Sequence, residues 1–326
     1  MTSKKGTVLL CLLFYLAMLL LPLMALGGGK SPGKPGSSPP LKLPTGSFFR
    51  LQDSSTGKML TVDDETFVRG TVATEMSPEA PQEALKAQAV AARTYYGRLR
   101  ENHRSNPGSA NSADFTVDTA NRNIYMTVDD MKKHWGGKYD QYYKSICSAC
   151  DAVSGQVLRS GGKLIDATYF AISGGSTEDA ADVWGSKCPY LVSVASPWDA
   201  FAGGYQTSAS FSADDFKAKI LKTAPKADLS GAAQSWVGAS DRSPAGTVKN
   251  IKIGGQVLTG SQVRTAFGLR SADFTVTFTN GSFTFDVKGY GHGVGLSQVG
   301  AEAMAREGAG YKQILSWYYP NTTLTK

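Results

Sequence analysis

Two prolines, Pro78 and Pro81, constrain this chain most, because they separate two amphipathic helices by only a few residues. The residue before a proline is pushed out of the helical region, whereas a proline is well tolerated in the first turn of a helix. The pattern therefore predicts a helix from Asp63 to Glu75, a sharp corner, and a second helix from Pro81 to about Leu99.

Glu75 lies where the first of these helices should be apolar. Val68, Val72 and Glu75 follow the i, i+4, i+7 spacing of a single helical face. A carboxylate on that face is partly desolvated, which disfavours its charged form and raises its pKa towards the range useful to a general acid. Glu75 is therefore the candidate acid. The alternative is a solvated glutamate at a fraying helix end, which is the commoner situation in proteins.

The second helix carries Lys86 and Arg93 on a polar stripe beside its apolar face. These two cations could flank a cleft that contains Glu75. Lys86 could equally pair with Glu83, three residues earlier, on a solvated surface.

The N-terminal part of the chain combines an apolar run with a low-complexity stretch. Residues 7–26 contain no charge, follow Lys4 and Lys5, and are about as long as a helix that crosses a bilayer. Residues 27–46 are rich in Gly, Pro and Ser. We expect a signal-anchor transmembrane segment over 1–26, a linker over 27–46 and an extracytoplasmic domain over 47–326, in a single-pass protein of the cell membrane. Small residues near position 26 leave cleavage of this segment open.

Composition argues for an ordinary globular domain and against a nucleic-acid-binding protein. An apolar content of 41% in 326 residues is ample for a core. The formal charge of +7 comes largely from five lysines that precede any acidic residue, so the rest of the chain is nearly neutral. These lysines are Lys4, Lys5, Lys30, Lys34 and Lys42.

The pattern of helices and strands predicts an α+β fold. Asn280-Gly281 stands between two alternating apolar runs, 274–278 and 283–287, and this is the strongest short-range signal of a β-hairpin. Strand patterns elsewhere are short and are interspersed with helical ones. We therefore expect a mixed or antiparallel sheet with several packed helices, preceded by the single N-terminal transmembrane helix.

Two glycine-rich stretches are candidates for ligand binding. In 173–179, glycines would let backbone N–H groups approach a ligand, although the same residues fit an ordinary turn followed by a capped helix. In 289–298, four glycines surround His292 before a helix that begins near Ser297, and His292, Ser297 and Gln298 offer donors and acceptors. His292 could also be a structural histidine in a tight turn.

The cysteines leave several states open. Cys147 and Cys150 share a helical face, so a metal site with Cys188 or a disulfide to Cys188 is conceivable. Free thiols are at least as consistent with the sequence, because no fourth ligand stands at metal-site spacing.

Three ordered stretches resemble the stage II sporulation protein D family: TEM followed by EALKAQAVAARTYY, then SGGSTEDAADVWG with PYLVSVASPWD, and finally GYGHGVGLSQVGAEAMAREG. The resemblance covers nearly all of the predicted extracytoplasmic domain. It implies a lytic transglycosylase that cuts peptidoglycan strands stripped of their stem peptides, between N-acetylmuramic acid and N-acetylglucosamine, during engulfment of the forespore. The product would end in 1,6-anhydromuramic acid.

The same resemblance assigns the site residues. Glu75 matches the family's catalytic glutamate. The predicted glycan-binding residues are the other positions that match its motifs, namely Lys86, Arg93, Tyr169, Ser173, Gly174, Gly175, Thr177, His292, Ser297 and Gln298. Tyr169 and Trp184 could stack on sugar rings. No cofactor is expected. No metal is expected at residues 173–175, the SGG loop, because the His and Cys ligands thought to bind zinc there in some relatives are absent.

The resemblance also implies partners. These are peptidoglycan strands, an amidase or endopeptidase of the engulfment machinery, and a multi-spanning membrane protein that recruits them. A competing hypothesis is a non-catalytic glycan-binding module that stimulates a partner cell-wall amidase, as some proteins similar to this family are described as doing. Such a module would need the cleft but not the acid, so it should tolerate the replacement of Glu75 by glutamine.

Overall fold

The computed structural model describes residues 47–106, 108 and 112–326. The α-helices are Asp64–Glu75 (α1), Gln82–Arg104 (α2), Val128–Trp135 (α3), Tyr139–Ala152 (α4), Ala180–Trp184 (α5), Ala213–Thr223 (α6), Gly260–Phe267 (α7), Gln298–Arg306 (α8) and Tyr311–Tyr318 (α9). Short 3-10 helices span Gly136–Lys138, Pro197–Phe201 and Ala233–Ser235. The strands are Phe48–Asp53 (β1), Met59–Asp63 (β2), Phe115–Val117 (β3), Val157–Ser160 (β4), Lys163–Leu164 (β5), Tyr169–Phe170 (β6), Gln206–Ser212 (β7), Val237–Arg242 (β8), Val248–Ile253 (β9), Gln256–Thr259 (β10), Asp273–Thr279 (β11), Ser282–Lys288 (β12), Leu296–Ser297 (β13) and Thr323–Thr325 (β14).

An alanine-rich helix, α2, lies at the centre of the first hydrophobic core. Its residues 84, 85, 87 and 89–92 are apolar and almost completely buried, so several sides of the helix are covered. A helix that is apolar nearly all round belongs inside a protein rather than on its surface. Accordingly, α2 contacts α1, α4, α8 and α9.

The predicted corner between the first two helices is confirmed. Helix α1 ends at Glu75, and Met76 adopts an extended conformation. The hydroxyl of Ser145 donates to the carbonyl of Pro78 at 2.7 Å, and the amide of Gln82 donates to the Ser145 hydroxyl at 3.0 Å. Because Ser145 belongs to α4, this helix stabilises the turn between α1 and α2 and fixes the point at which α1 ends.

A second hydrophobic core is built from residues between β7 and β12. Aromatic rings dominate it, and the rings of Phe216 and Phe283 are stacked with centroids 3.8 Å apart. The predicted hairpin joins β11 to β12, with Asn280 and Gly281 both at positive φ as a tight hairpin turn requires. Strand β7 pairs with β12, so the sheet order is β11-β12-β7.

The predicted fold class is wrong in its sheet arrangement. The protein is a mixed α+β structure, but the strands of its described residues form five small sheets of two or three strands rather than one. Of the strand pairs within the described ranges, two are parallel, β1 with β3 and β6 with β13, and the others are antiparallel. The physical reason is the length of the strands. Many span only two to four residues and are separated by helices, so each pairs with only one or two other strands.

The structure also contradicts the predicted transmembrane helix and the predicted single-pass membrane location. Within the described ranges, no helix is both long enough and apolar enough to cross a membrane. Helix α2 has the length, with 23 residues, but it carries charged side chains such as Arg93, Arg98 and Arg100. Residues 1–26, where the transmembrane segment was predicted, and the linker at 27–46 lie outside the described residues.

Gly70 in α1 provides a test of this packing. A Cβ atom at this position would lie 2.3 Å from Cε2 of Tyr125 and 2.7 Å from the carbonyl oxygen of Met126. We expect Gly70→Ala to lower the free energy of unfolding by about 1–3 kcal/mol, although alanine favours helices, because the clash outweighs helix propensity. Gly137→Ala is the matched control, since nothing lies within 4 Å of its Cβ. Urea denaturation measures both, and equal effects would contradict the packing described here.

Candidate active site

Glu75 lies where three helices meet. It is the last residue of α1, and its side chain is partly buried between α2 and α8. The Nε2 of Gln298, at the first position of α8, donates to Oε2 of Glu75 at 3.2 Å. The same Nε2 lies 3.5 Å from Oε1 of Gln88, a fully buried residue of α2. Gln298 therefore joins the carboxylate to both neighbouring helices.

The surroundings of Glu75 favour its protonated form. Burial raises the pKa of Glu75, and the hydrogen bond from Gln298 opposes this in part because it stabilises the carboxylate. Burial also raises the pKa of Tyr96 and of Tyr169, and the nearby charge of Glu75 adds to both shifts. Two neutral phenols therefore lie close to the carboxyl group, and a proton on Glu75 is retained to higher pH than on an exposed glutamate.

A buried carboxylate that we did not predict holds the site together. Asp199 is completely buried and accepts hydrogen bonds from the hydroxyls of Ser173 at 2.7 Å and Ser297 at 2.6 Å. It also accepts from the hydroxyl of Ser196, which contacts the hydroxyl of Tyr318. Three hydroxyl donors satisfy a carboxylate that lies away from water.

This network fixes the start of α8. The Ser297 hydroxyl accepts from the backbone N–H of Gly300 at 3.2 Å, so Ser297 caps the helix that begins with Gln298. Asp199 therefore positions Ser297, which in turn positions the amide that contacts Glu75. The only sequence signal for Asp199 was its place in the SPWD segment, beside the glycine-rich motifs.

Several predicted glycan-binding residues have internal partners. The Ser173 hydroxyl also accepts from the N–H of Gly175 at 3.1 Å, and Gly175 has a φ of 114°. Gly174 has no room for a side chain, since its Cβ would lie 2.6 Å from Oδ2 of Asp273. The Thr177 hydroxyl accepts from the N–H of Val194 at 2.9 Å. Hydrogen bonds and close packing with neighbouring residues of the chain therefore determine the conformation of the SGG loop.

Tyr169 and Ser297 are brought together with Gln298 by β6 and β13, which pair in parallel next to Glu75. The ring of His292 lies 5.7 Å from that of Phe170, which follows Tyr169 in β6, and 5.5 Å from that of Trp184. Trp184 is 47% exposed, so its indole is available to a ligand.

The structure pairs the two predicted cations, Lys86 and Arg93, with residues other than Glu75. Lys86 forms an ion pair with Glu83 at 2.5 Å, which was the alternative interpretation. Arg93 is buried and donates to Glu65 at 2.8 Å and to the carbonyl of Val153 at 2.9 Å. Glu65 lies ten residues before Glu75 in α1, which corresponds to about 15 Å along the helix axis.

The thiols of Cys147, Cys150 and Cys188 are free. Burial raises the pKa of Cys147 and, to about 12, that of Cys150, so both are protonated near neutral pH. In the part of the chain that the structure describes, no group of three or more His, Cys, Asp or Glu residues is arranged to hold a metal ion.

The fold and the site define a mixed α+β protein with a protonatable glutamate at a junction of helices. A family model described as stage II sporulation protein matches residues 52–159. Stage II sporulation protein D of Bacillus amyloliquefaciens is 39% identical over 264 residues, which cover 80% of this chain and 74% of that relative. The protein of the same description from Bacillus subtilis (strain 168) is 36% identical over 262 residues, with the same coverage.

The chain therefore belongs to the stage II sporulation protein D family, which confirms the resemblance found in the sequence. A more distant relative is the amidase enhancer of Bacillus subtilis (strain 168). It is 29% identical over 308 residues, which cover 79% of this chain and 40% of that relative.

His292 gives a test of the site's electrostatics. Burial lowers the pKa of His292 from 6.5 to about 4, and the charge of Arg264 contributes. Between these values the unfolded chain binds a proton that the folded protein does not, so stability is complete above pH 6.5 and falls as the pH decreases towards 4. We expect this residue to account for about 2–3 kcal/mol of that loss.

Urea denaturation of the wild type and of His292→Gln at pH 7 and at about pH 4.5 isolates this contribution. From the higher to the lower pH, the free energy of unfolding should fall by about 2–3 kcal/mol more for the wild type than for the variant. Equal losses would show that the imidazole is protonated as easily in the folded protein as in the unfolded chain.

Proposed function

We propose that this protein is a lytic transglycosylase of peptidoglycan that acts during forespore engulfment in sporulation. Its substrate is the bond between N-acetylmuramic acid and N-acetylglucosamine in glycan strands without stem peptides. The observation that carries the proposal is the raised pKa of Glu75, a partly buried carboxyl group held by Gln298. Membership of the stage II sporulation protein D family supports the assignment to sporulation.

A single carboxyl group is sufficient for this reaction. Protonated Glu75 donates its proton to the glycosidic oxygen as the bond to the anomeric carbon breaks. The resulting carboxylate then accepts the proton of the muramyl 6-hydroxyl, whose oxygen bonds to the same carbon. One product ends in 1,6-anhydromuramic acid, the other begins with the 4-hydroxyl of N-acetylglucosamine, and Glu75 is protonated again without consumption of water.

The electrostatics of Glu75 favour this chemistry over hydrolysis. Burial raises the pKa of Glu75, the hydrogen bond from Gln298 opposes this rise, and no second carboxylate of the described residues contributes to the shift. Ordinary glycosidases use a pair of carboxyl groups, one of which acts as nucleophile or activates water. In ring closure, the substrate supplies its own nucleophile in the right position, so the second carboxylate is not needed.

The decisive variant is Glu75→Gln, which keeps the shape of the side chain and removes its proton transfer. We expect the rate of strand cleavage to fall at least about 100-fold. Glu79→Gln is the matched control, because Glu79 lies on the same corner but accepts a hydrogen bond from Tyr142 at 2.6 Å and is not held by Gln298. Mass spectrometry of peptide-free strands should show 1,6-anhydromuramyl ends with the wild type and the control. Reducing ends would instead indicate hydrolysis.

The pH profile tests the link between Gln298 and Glu75. Activity should fall as the pH rises through the raised pKa of Glu75, because the acid form is lost. Gln298→Met removes a hydrogen bond that stabilises the carboxylate, so the pKa of Glu75 should rise further and the alkaline limb of kcat/KM should move to higher pH. An unchanged limb, or one that moves to lower pH, would exclude Glu75 as the titrating acid.

A second candidate function is a glycan-binding module that stimulates a partner cell-wall amidase. The observation that favours it is the similarity to a protein named amidase enhancer. Glu75→Gln separates the two functions, since an enhancer retains its stimulation of an added amidase when the acid is removed. Unbroken strands that still bind the protein, together with full amidase stimulation by Glu75→Gln, would support this alternative.

A further inference from the structure

Two arginines beside the GYGHG segment, residues 289–293, have no carboxylate partner among the described residues. Arg264 lies in the last turn of α7 and Arg270 lies just after that helix. Both side chains are half-buried. An arginine removed from water is normally paired, because the lost hydration of its charge needs compensation. The two side chains therefore indicate a site for an anion.

Arg270 is held flat against an aromatic ring. Its guanidinium carbon, Cζ, lies 4.3 Å from the centroid of the Tyr290 ring, and Tyr290 is 46% exposed. Gly204 covers the guanidinium from another direction, since a Cβ there would lie 2.5 Å from Nη1. Nε is buried and has no hydrogen-bond partner in the part of the chain that the structure describes. Stacking fixes the orientation of a guanidinium but leaves the N–H groups in its plane available, so Arg270 presents a rigid fork of donors.

Arg264 adds a second positive charge beside Tyr290. Its Nε donates to the carbonyl of Leu269 at 3.3 Å, and its terminal nitrogens have no hydrogen-bond partner within the described ranges. Burial lowers the pKa of Arg264, and the phenol of Tyr290 opposes this, whereas no carboxylate of the described residues contributes. The charge also acts on the imidazole of His292, whose pKa it helps to lower. The positive charge of Arg264 is therefore not offset by a nearby carboxylate.

His292 connects these arginines to the candidate acid. Its imidazole interacts with the backbone of Tyr169, and the charge of Glu75 acts on the phenol of Tyr169. The half-exposed indole of Trp184 lies 5.5 Å from the imidazole and offers a ring face on which a sugar can stack. The arginines therefore border the surface along which a glycan bound at Glu75 extends.

The proposed substrate carries one kind of charge. Each N-acetylmuramic acid bears a lactyl group, and an amide bond joins the carboxyl carbon of this group to the stem peptide. Removal of the peptide leaves a free carboxylate. Carboxylate and guanidinium match in shape and charge and form two parallel hydrogen bonds, whereas the amide of an intact strand has no negative charge. The anion that the two arginines require is thus present only in stripped strands.

We propose that Arg270, assisted by the charge of Arg264, binds the lactyl carboxylate of N-acetylmuramic acid and makes the site selective for strands without stem peptides. This inference rests on the proposed function, because it takes the same glycan as the ligand. The selectivity arises from charge. A site built to pair with a charged group rejects a ligand that lacks this group, because its own donors are then left unsatisfied.

Binding of defined oligosaccharides tests the proposal. The full chain with Glu75→Gln, which lacks the acid, is titrated with a peptide-free tetrasaccharide of alternating N-acetylglucosamine and N-acetylmuramic acid. The second ligand is the same tetrasaccharide with its lactyl carboxylates converted to methylamides. We expect Kd to be at least about 10-fold higher for the methylamide. This readout needs no cleavage, so a wild type that forms no 1,6-anhydromuramyl ends would count against the proposed enzyme without affecting the result.

Two variants in the same background make the test specific. Arg270→Gln should bind both tetrasaccharides with equal Kd, because the fork of donors is removed. Arg159→Gln is the matched control and should keep the preference, since it removes the same charge from an exposed hairpin in which Arg159 donates to the carbonyl of Gly162 at 3.0 Å. Circular dichroism reports folding, and Arg264→Gln, which should reduce the preference, replaces Arg270→Gln if that variant does not fold.

Four results would overturn the proposal. These are equal Kd values for the two tetrasaccharides in the starting protein, no binding of the carboxylate form, a preference that persists unchanged in the folded arginine variant, and an equal loss of preference in Arg159→Gln. The last result would show that the total charge of the protein, rather than the arginines beside Tyr290, attracts the carboxylate.

Discussion

The hydrogen bonds to Asp199 are the interaction on which the candidate site depends. A fully buried carboxylate is costly unless donors surround it, and here serine hydroxyls from the SGG loop, from its own turn and from the start of α8 supply them. The three segments come from different parts of the chain, and this carboxylate joins them in addition to backbone hydrogen bonds such as that from the N–H of Ser196 to the carbonyl of Gly175. If one donor is lost, the remaining groups lie unsatisfied in the interior, and the whole junction is weakened.

The carboxyl group of Glu75, the proposed general acid, owes its position to that junction. Ser297 is held by Asp199 and caps α8, so Gln298 begins the helix at a fixed point. Its amide then reaches a carboxyl group that lies on a different helix, at the end of α1. A general acid needs a set direction as much as a raised pKa, because proton transfer requires hydrogen-bond distance. Burial raises the pKa of Glu75, and the hydrogen bonds that begin at Asp199 fix the orientation of its carboxyl group.

Local features could be predicted from the sequence, and long-range ones could not. The corner after Glu75 and the hairpin at Asn280 follow from proline and glycine chemistry within a few residues, and both are present. The division into five sheets depends on which short strands meet, and no local pattern encodes that. Arg93 shows the same limit. The helical spacing places it on a polar stripe of α2, but the stripe does not show that Arg93 is buried and paired with Glu65 of another helix.

The motif residues fall into two groups by what their side chains contact, and these groups suit different parts in binding the proposed glycan substrate. Three of them are buried, and their hydroxyls form hydrogen bonds within the protein: Ser173, Thr177 and Ser297. These side chains therefore shape the site rather than touch a sugar. The groups that remain for a ligand are larger and less enclosed, such as the half-exposed indole of Trp184 beside His292. Apolar ring faces bind sugars through stacking and tolerate variation in the substituents. Recognition by such surfaces fits a long, repetitive polymer better than a small polar molecule, which would need a closed set of directed hydrogen bonds.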